Sequence, residues 1–68
     1  MSNYIDRMKE EHCELKKKVD ALNAFIHGNS LFDELDAVQR SKMIKQSGFM
    51  ESYLHTLESR IWTAIEPV

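Results

Sequence analysis

Four side chains in this sequence are common ligands of transition metals: His12, Cys13, His27 and His55. A zinc site needs such donors to converge on one point, usually as Cys-x-x-Cys pairs or as histidines four residues apart on a helix. Neither spacing occurs, and the adjacent His12 and Cys13 point about 100° apart on a helix. We therefore expect no metal site within one chain. A metal shared between the His12 side chains of several subunits is the arrangement that stays open.

Catalytic arrangements are also missing from the pattern. Cys13 lies directly beside His12, so helix geometry keeps the imidazole from activating the thiol, and no third residue is placed to orient a base. The eleven carboxylates allow many notional pairs, but a helical chain of 68 residues offers no deep cleft that would raise a carboxyl pKa. We expect a protein that is not an enzyme and that uses no cofactor.

A different set of side chains is suited to binding. Aromatic rings and guanidinium groups together accommodate a nucleotide, because a base stacks on the ring while the guanidinium holds phosphate through two N–H groups. The alternative is an aromatic interface between copies of the chain, edged by arginines, and spacing alone favours this alternative. The candidate ligand-binding residues are Tyr4, Arg7, Gln46, Tyr53 and Arg60.

The elements that must position these groups are helices. Gly28 and Gly48 are the only glycines and Pro67 is the only proline, so helix breakers are almost absent from residues 3–27 and 36–66. In both stretches a series of mainly apolar residues recurs at alternating spacings of three and four, which predicts a helix with one face for a partner helix. We call these two series the seams. They are Ile5, Met8, His12, Leu15, Val19, Leu22 and Ile26, then Met43, Ser47, Met50, Leu54, Leu57, Ile61 and Ala64, widened by Ile44 and Ile65.

The connection over residues 28–36 carries turn-forming residues. Gly28 tolerates the left-handed conformation that ends many helices, so we expect it to end the first helix. Residues 30–33 then predict a short helical turn, and Asp36 with Gln39 predicts the cap of the second helix. The apolar residues of the connection, which we expect to fill the closed end between the helices, are Leu31, Phe32 and Leu35.

Two helices joined by a short connection normally lie antiparallel. The sequence therefore predicts an all-α fold with one domain over residues 1–68, an antiparallel two-helix hairpin with a short helical turn in its connection. Such packing brings Tyr4 and Arg7 near Arg60 and Trp62 at the open end. Helices of these lengths, on the order of 37 and 45 Å, form a thin rod.

Self-association is expected because so small a core seldom supplies more than about 3 to 5 kcal/mol. Aromatic side chains lie beside the seams, so we expect a homo-oligomer, a dimer or higher, that forms a helical bundle. Phe49 and Trp62 are assigned to that interface, and the polar seam residue His12 to fixing register or oligomer state. The alternative for His12 is a hydrogen bond to a ligand, or a switch that titrates between about pH 5 and 8.

Composition argues against two classes of partner. The net charge of -2, from nine basic and eleven acidic residues, disfavours a protein that neutralises nucleic-acid phosphates, so we expect no DNA or RNA partner. The longest apolar stretches are three residues, too short to cross a bilayer, and residues 1–11 are polar. We expect a cytoplasmic protein without a membrane partner.

The chain reads Y-I-x-R-M from Tyr4, E-x-x-E-L from Glu11, L-x-x-F-I from Leu22 and Q-x-x-x-M-x-x-Y-x-x-x-L-x-x-R-I from Gln46. This order, which covers nearly the whole chain, resembles the short helical proteins of tailed bacteriophages first catalogued in crAss-like phages. The small size and the hairpin are also similar to phage anti-defence sponges. Sponges are small oligomers that bind cyclic oligonucleotide or ADP-ribose-derived immune signals without cleaving them.

The resemblance implies a phage counter-defence protein that sequesters a nucleotide second messenger between subunits in the cytoplasm of the host cell. Tyr4 and Tyr53 would then stack on the bases, while Arg7 and Arg60 would hold phosphate. The alternative from another class is a helical interaction module that lays an apolar helix face against a host or phage protein.

Overall fold

The computed structural model describes residues 3–65, in which α1 (Tyr4–Gly28), α2 (Ser30–Glu34) and α3 (Ala37–Ile65) follow one another. Within these residues there are helices and no strand, which confirms the all-α prediction. The molecule is elongated, with extents of 48 × 21 × 15 Å. No helix of the described part is long and apolar enough to cross a membrane. Residue 66, the predicted end of the second helix, lies outside the described residues.

Side-chain caps begin the two long helices. Asn3 Oδ1 accepts a hydrogen bond of 2.9 Å from the backbone N–H of Asp6 at the start of α1. Asp36 Oδ1 accepts one of 2.7 Å from the backbone N–H of Gln39, as predicted for the start of the second helix. Each oxygen satisfies a backbone donor that has no partner inside its own helix.

The end of α1 differs from the expectation. Gly28 stays helical, and no glycine among residues 3–65 has a positive φ, so the predicted left-handed ending is wrong. Asn29 ends the helix in an extended conformation, with φ -113° and ψ 123°. Its backbone N–H donates to the Phe25 carbonyl at 3.3 Å, while its Oδ1 accepts from the Leu31 N–H at 2.9 Å. Because Asn29 both closes α1 and caps α2, no left-handed residue is needed.

The core lies between α1 and α3, along the two predicted seams. Every residue that recurs at the alternating spacing of three and four, from Ile5 to Ile26 and from Met43 to Ala64, is buried or half-buried, which confirms the spacing argument. Leu57 is the most deeply buried, at 1% exposure, and burying such a side chain stabilises a fold by about 1.5–3 kcal/mol. Ile44 and Ile65, expected to widen the second seam, are 55% and 43% exposed instead. They lie at the edge of α3, where a single partner helix does not reach.

Of the three apolar residues of the connection, two are withdrawn from solvent and one is not. Phe32 is buried, and its ring meets that of Phe25 edge to face, with 6.1 Å between ring centroids. Leu35 is half-buried, whereas Leu31, which we expected beside Phe32, is 56% exposed. Adjacent residues on a helix point about 100° apart, so a five-residue helix cannot turn both Leu31 and Phe32 toward α1.

Polar contacts join α1 to α3 at several levels of the rod. Ser47, 7% exposed, donates from Oγ to Asn23 Oδ1 at 2.5 Å, so the small seam residue lets α1 approach closely. Residues near the start of α1 contact residues 53 and 58 of α3, whereas Asn23, further along α1, contacts the earlier residues 47 and 51, which is the order that antiparallel packing produces. The contacting pairs are Glu11 with Tyr53, His12 with Glu58, and Asn23 with Ser47 and Glu51.

Candidate functional site

Two open recesses on one side of the helix pair share the side chain of Arg60. Their volumes are about 320 and 470 Å³, and both are open to solvent. We call the residues that line these two recesses the arginine face. The first recess is lined by Ser52, Tyr53, Thr56, Leu57 and Arg60, and the second by Tyr4, Met8, Ser59, Arg60, Thr63 and Ala64.

A third recess, of about 330 Å³, lies on the other side of the helix pair. We measure directions as rotations about the axis of α3, starting from the buried Leu57. Arg60 is rotated by roughly 60° in one direction and Trp62 by roughly 140° in the other. The interhelical seam therefore separates this recess from the arginine face. We call its lining residues the tryptophan face: Lys9, His12, Glu58, Ile61, Trp62 and Ile65.

The structure brings together three of the five predicted ligand-binding residues. Arg60 lines both recesses of the arginine face, with Tyr53 beside it in one and Tyr4 in the other. The two tyrosines are 51% and 56% exposed, so both rings are open to a ligand. Arg60 thus lines two neighbouring recesses, each of which also has an exposed tyrosine in its lining.

The other two predicted residues line neither of these recesses. Arg7 and Gln46 are both exposed, and the Gln46 amide donates to Met50 Sδ at 3.7 Å. Gln46 lies seven residues before Tyr53, which puts it two turns away on the same side of α3. These two side chains are therefore outside the core of the candidate site.

Sequence reasoning missed a carboxylate on the arginine side. The Tyr53 hydroxyl donates a hydrogen bond to Glu11 Oε2 on α1, so the phenol is held by both helices. Glu11 follows Tyr4 by seven residues, the spacing that returns to the same side of a helix seam. That spacing is the signal that could have placed Glu11 on this side of the molecule. Also missed were the hydroxyls of Ser52, Thr56, Ser59 and Thr63, which line the recesses.

His12 makes an interhelical hydrogen bond with Glu58 on the tryptophan face. Its Nε2 lies 2.9 Å from Glu58 Oε1, and the two side chains are 24% and 45% exposed. The hydrogen bond with His12 lowers the pKa of Glu58, and this effect outweighs the partial desolvation that would raise the pKa. Electrostatic interactions with His12, His55 and Lys16 lower it further. The contact links α1 to α3, and a residue that fixes the register of two helices has to make such a link.

The two aromatic residues assigned to an oligomer interface are exposed in the single chain. Phe49 is 66% and Trp62 is 64% exposed. Lys45 Nζ lies 5.9 Å from the centroid of the Phe49 ring. Trp62, expected near Arg60, lines the opposite recess, because two residues along a helix correspond to a rotation of about 200°.

The candidate metal ligands do not converge. Among residues 3–65, no group of three or more His, Cys, Asp or Glu side chains is arranged to hold a metal ion. Cys13 is a free, exposed thiol. His12, the residue for which a shared metal was considered, is engaged with Glu58.

Comparison with known proteins gives a family and a phage relative. The sequence model of the family described as Sequestin matches residues 2–63. The chain is 36% identical over 61 residues to the uncharacterized 7.5 kDa protein in the denB-rIIB intergenic region of Enterobacteria phage T4, and the alignment covers 90% of this chain and 94% of the T4 protein. No solved structure matches the chain significantly. These matches confirm a resemblance to small phage proteins, while the placement among crAss-like phages stays a prediction.

Proposed function

We propose that this chain, which belongs to the Sequestin family, is a non-catalytic phage protein that sequesters a nucleotide-derived immune signal. The proposed ligand is a cyclic oligonucleotide or an ADP-ribose derivative, bound where copies of the chain meet. The observation that carries the proposal is the position of Arg60 between two recesses that each contain an exposed tyrosine. The family name is consistent with a sequestering role, and the phage T4 relative is consistent with a phage protein.

The chemistry of the arginine face suits a ligand with bases and phosphate. Stacking a base on an aromatic ring such as Tyr4 or Tyr53 is worth about 1–3 kcal/mol. The Arg60 guanidinium can hold a phosphate through two parallel N–H···O bonds. Thr63 Oγ1 donates to the Ser59 carbonyl at 2.9 Å, which leaves the hydroxyl oxygen able to accept from a ribose hydroxyl.

Binding without cleavage is supported by what lines these recesses. Breaking a phosphodiester or glycosidic bond requires a positioned general base, acid or nucleophile. The serine and threonine hydroxyls that line the two recesses become nucleophiles only with an adjacent base. Among the residues that line the recesses, none is a histidine, a cysteine or a carboxylate that could act as that base. We therefore propose capture of an intact ligand.

Self-association is supported by the area that one chain leaves exposed. The accessible surface is 5355 Å², whereas a folded monomer of 8.0 kDa exposes about 4,450 Å². The excess of about 900 Å² is close to the roughly 800 Å² that each partner buries in a standard interface. We propose that antiparallel hairpins assemble into a helical-bundle homo-oligomer, which would cover aromatic residues such as Trp62 and turn the open recesses into deeper pockets.

The test is calorimetric titration of the purified protein with cyclic di- and trinucleotides and with cyclic ADP-ribose isomers. We expect at least one member of the panel to bind, and to be recovered chemically intact after the protein is denatured. The absence of binding to every member contradicts the proposal. Recovery of a cleaved ligand contradicts the non-catalytic part of it.

A protein-interaction module is the second candidate, favoured by apolar surface far from Arg60. Leu31, Val38 and Ile44 are 56%, 61% and 55% exposed. Ile44 also lines a recess of about 370 Å³ beside Phe32, roughly 24 Å along α3 from Arg60. Exposed apolar side chains at this end of the rod suit contact with a groove on a partner protein.

Pull-down from host lysate separates the two candidates. If the chain is an interaction module, the Ile44→Asp variant loses a captured protein that the Arg60→Ala variant retains. If the chain captures a nucleotide, Ile44→Asp keeps the calorimetric signal that Arg60→Ala weakens.

A further inference from the structure

We propose that Glu11 is a positioning residue that orients the Tyr53 ring for ligand stacking, an inference that rests on the proposed function of the arginine face. Tyr53 belongs to α3 and Glu11 to α1, and they are 42 residues apart in the sequence. Their hydrogen bond joins the two helices beside the recess that Tyr53 and Arg60 share. Glu11 itself does not line that recess, so it acts on a ligand through Tyr53.

The hydrogen bond matters because packing alone does not fix the ring. Tyr53 is 51% exposed, and an exposed aromatic side chain can occupy more than one staggered χ1 rotamer. The backbone of α3 holds one end of the side chain, and Glu11 holds the hydroxyl at the other end. Rotamers that carry the hydroxyl away from α1 break this bond, so the bond selects the ring orientation that lies beside Arg60.

A selected orientation should strengthen ligand binding. A ligand that stacks on a freely rotating ring must immobilise it, and this loss of side-chain freedom weakens affinity. When Glu11 already restricts the ring, most of that loss occurs during folding rather than binding. Removing the Glu11 carboxyl group should therefore weaken binding by roughly threefold to tenfold.

A purely electrostatic role for Glu11 makes the opposite prediction. A carboxylate near the site repels an anionic ligand, so its removal would strengthen binding. Glu11→Gln removes the charge but keeps a carbonyl oxygen that can accept from the tyrosine hydroxyl. Positioning thus predicts that Glu11→Ala weakens binding and that Glu11→Gln restores it.

The first measurement needs no ligand. We would record NMR spectra of the protein labelled with ¹³C at the tyrosine ring carbon that bears the hydroxyl. Tyr4 serves as the internal control, because it is similarly exposed and lies in the other recess. In Glu11→Ala the Tyr53 signal should move while the Tyr4 signal stays in place. The matched surface variant Glu14→Ala, which removes an ion pair with Lys17 inside α1, should move neither. An unmoved Tyr53 signal overturns the inference.

The second measurement is a double-mutant cycle on affinity, with the tightest-binding member of the cyclic-nucleotide panel as the probe. Tyr53→Phe removes the hydroxyl but keeps the ring, so adding Glu11→Ala to it should weaken binding no further. Additive losses, or unchanged or tighter binding by Glu11→Ala, overturn positioning while the nucleotide-binding function stands. If the wild-type protein binds no member of the panel, the proposed function and the positioning role both fall, whatever the NMR signals do.

Discussion

The arginine face and the tryptophan face flank the same seam, yet their charges are arranged differently. On the tryptophan face, the imidazole of His12 lies 2.9 Å from the Glu58 carboxylate, so an incoming phosphate would meet a negative charge there. Arg60 lies in recesses whose lining contains hydroxyls and rings but no carboxylate, and Glu11 on that side contacts the Tyr53 hydroxyl. Arg60 is therefore better placed than His12 to bind an anion, because no carboxylate lines its recesses.

The two faces also differ in their apolar surface. The tryptophan face carries Ile61, Trp62 and Ile65, and indole and isoleucine side chains suit contact with another protein surface. The arginine face has small hydroxyl residues between its two tyrosines. We therefore expect the tryptophan face to supply most of the apolar contact between copies, and the arginine face to supply the ligand contacts in the pockets that the assembly deepens.

The largest effect should come from Leu57→Ala, because the seam supports both faces. Truncating a buried leucine costs about 2–5 kcal/mol, and a core of this size supplies about 3–5 kcal/mol in total. We expect the variant to be largely unfolded in thermal or urea melts followed by circular dichroism. Leu31→Ala, an exposed leucine of α2, is the matched control and should change stability by less than about 0.5 kcal/mol. Equal stability of the two variants would contradict the assignment of the core.

The difference in charge between the faces is tested by Arg60→Ala beside Lys9→Ala. Hydrogen bonds to charged groups contribute about 1.5–3 kcal/mol, so losing Arg60 should weaken nucleotide binding roughly tenfold to a hundredfold. Lys9 lines the tryptophan face, and its removal should leave affinity nearly unchanged. Calorimetry on both variants decides. A larger loss with Lys9→Ala would move the ligand site to the other side of the seam.

The assignment of the tryptophan face to self-association is tested by Trp62→Ala. A tryptophan at the centre of an interface often contributes about 2 kcal/mol or more, so the dissociation constant of the oligomer should rise at least tenfold. Sedimentation equilibrium over a range of concentrations measures it. Leu31→Ala again serves as the control, since Leu31 is exposed on α2, far from Trp62 along the rod. If only Leu31→Ala promotes dissociation, the copies meet at the α2 end.

Helix positions could be predicted from the sequence because they depend on local spacing. The seam spacings identified the buried positions from Ile5 to Ala64, since a period of 3.6 residues fixes which side chains share a face. The same arithmetic would have separated Trp62 from Arg60, which lie two residues apart. Gly28 misled because glycine is only one way to end a helix, and Asn29 uses its backbone and side chain instead.

The details of the candidate site depended on information that spacing does not carry. Tyr53 and Arg60 share a face because they are seven residues apart, and this was predictable. The contact between Tyr53 and Glu11 depends on how far α1 slides along α3 and on the rotamers of both side chains. Neither is encoded in the sequence of one helix, so Glu11 became visible only once the two helices were placed together.

The smallest effect should be the acid response of the pair between His12 and Glu58 on the tryptophan face. The hydrogen bond with His12 lowers the pKa of Glu58 below its ordinary value of 4.5. A carboxyl group whose pKa is lower in the folded state stabilises the fold above its unfolded pKa, and this contribution is lost as the pH falls through the folded pKa. The loss should therefore begin near pH 4.5 and continue below it. It should be small, because Glu58 is 45% exposed and solvent screens the pair.

Glu58→Gln isolates this response, because glutamine cannot be ionised. We would compare melting temperatures at pH 6 and pH 3 for the wild-type protein, Glu58→Gln and Glu14→Gln. Glu14 pairs with Lys17 inside α1, so its variant loses a carboxylate without touching the contact between the helices. We expect Glu58→Gln to lose less stability on acidification than the wild-type protein, and Glu14→Gln to follow the wild type. If the melting temperatures of all three proteins fall by the same amount, the pair between His12 and Glu58 contributes nothing to holding α1 against α3. The tryptophan face must then be held in place by its apolar contacts alone.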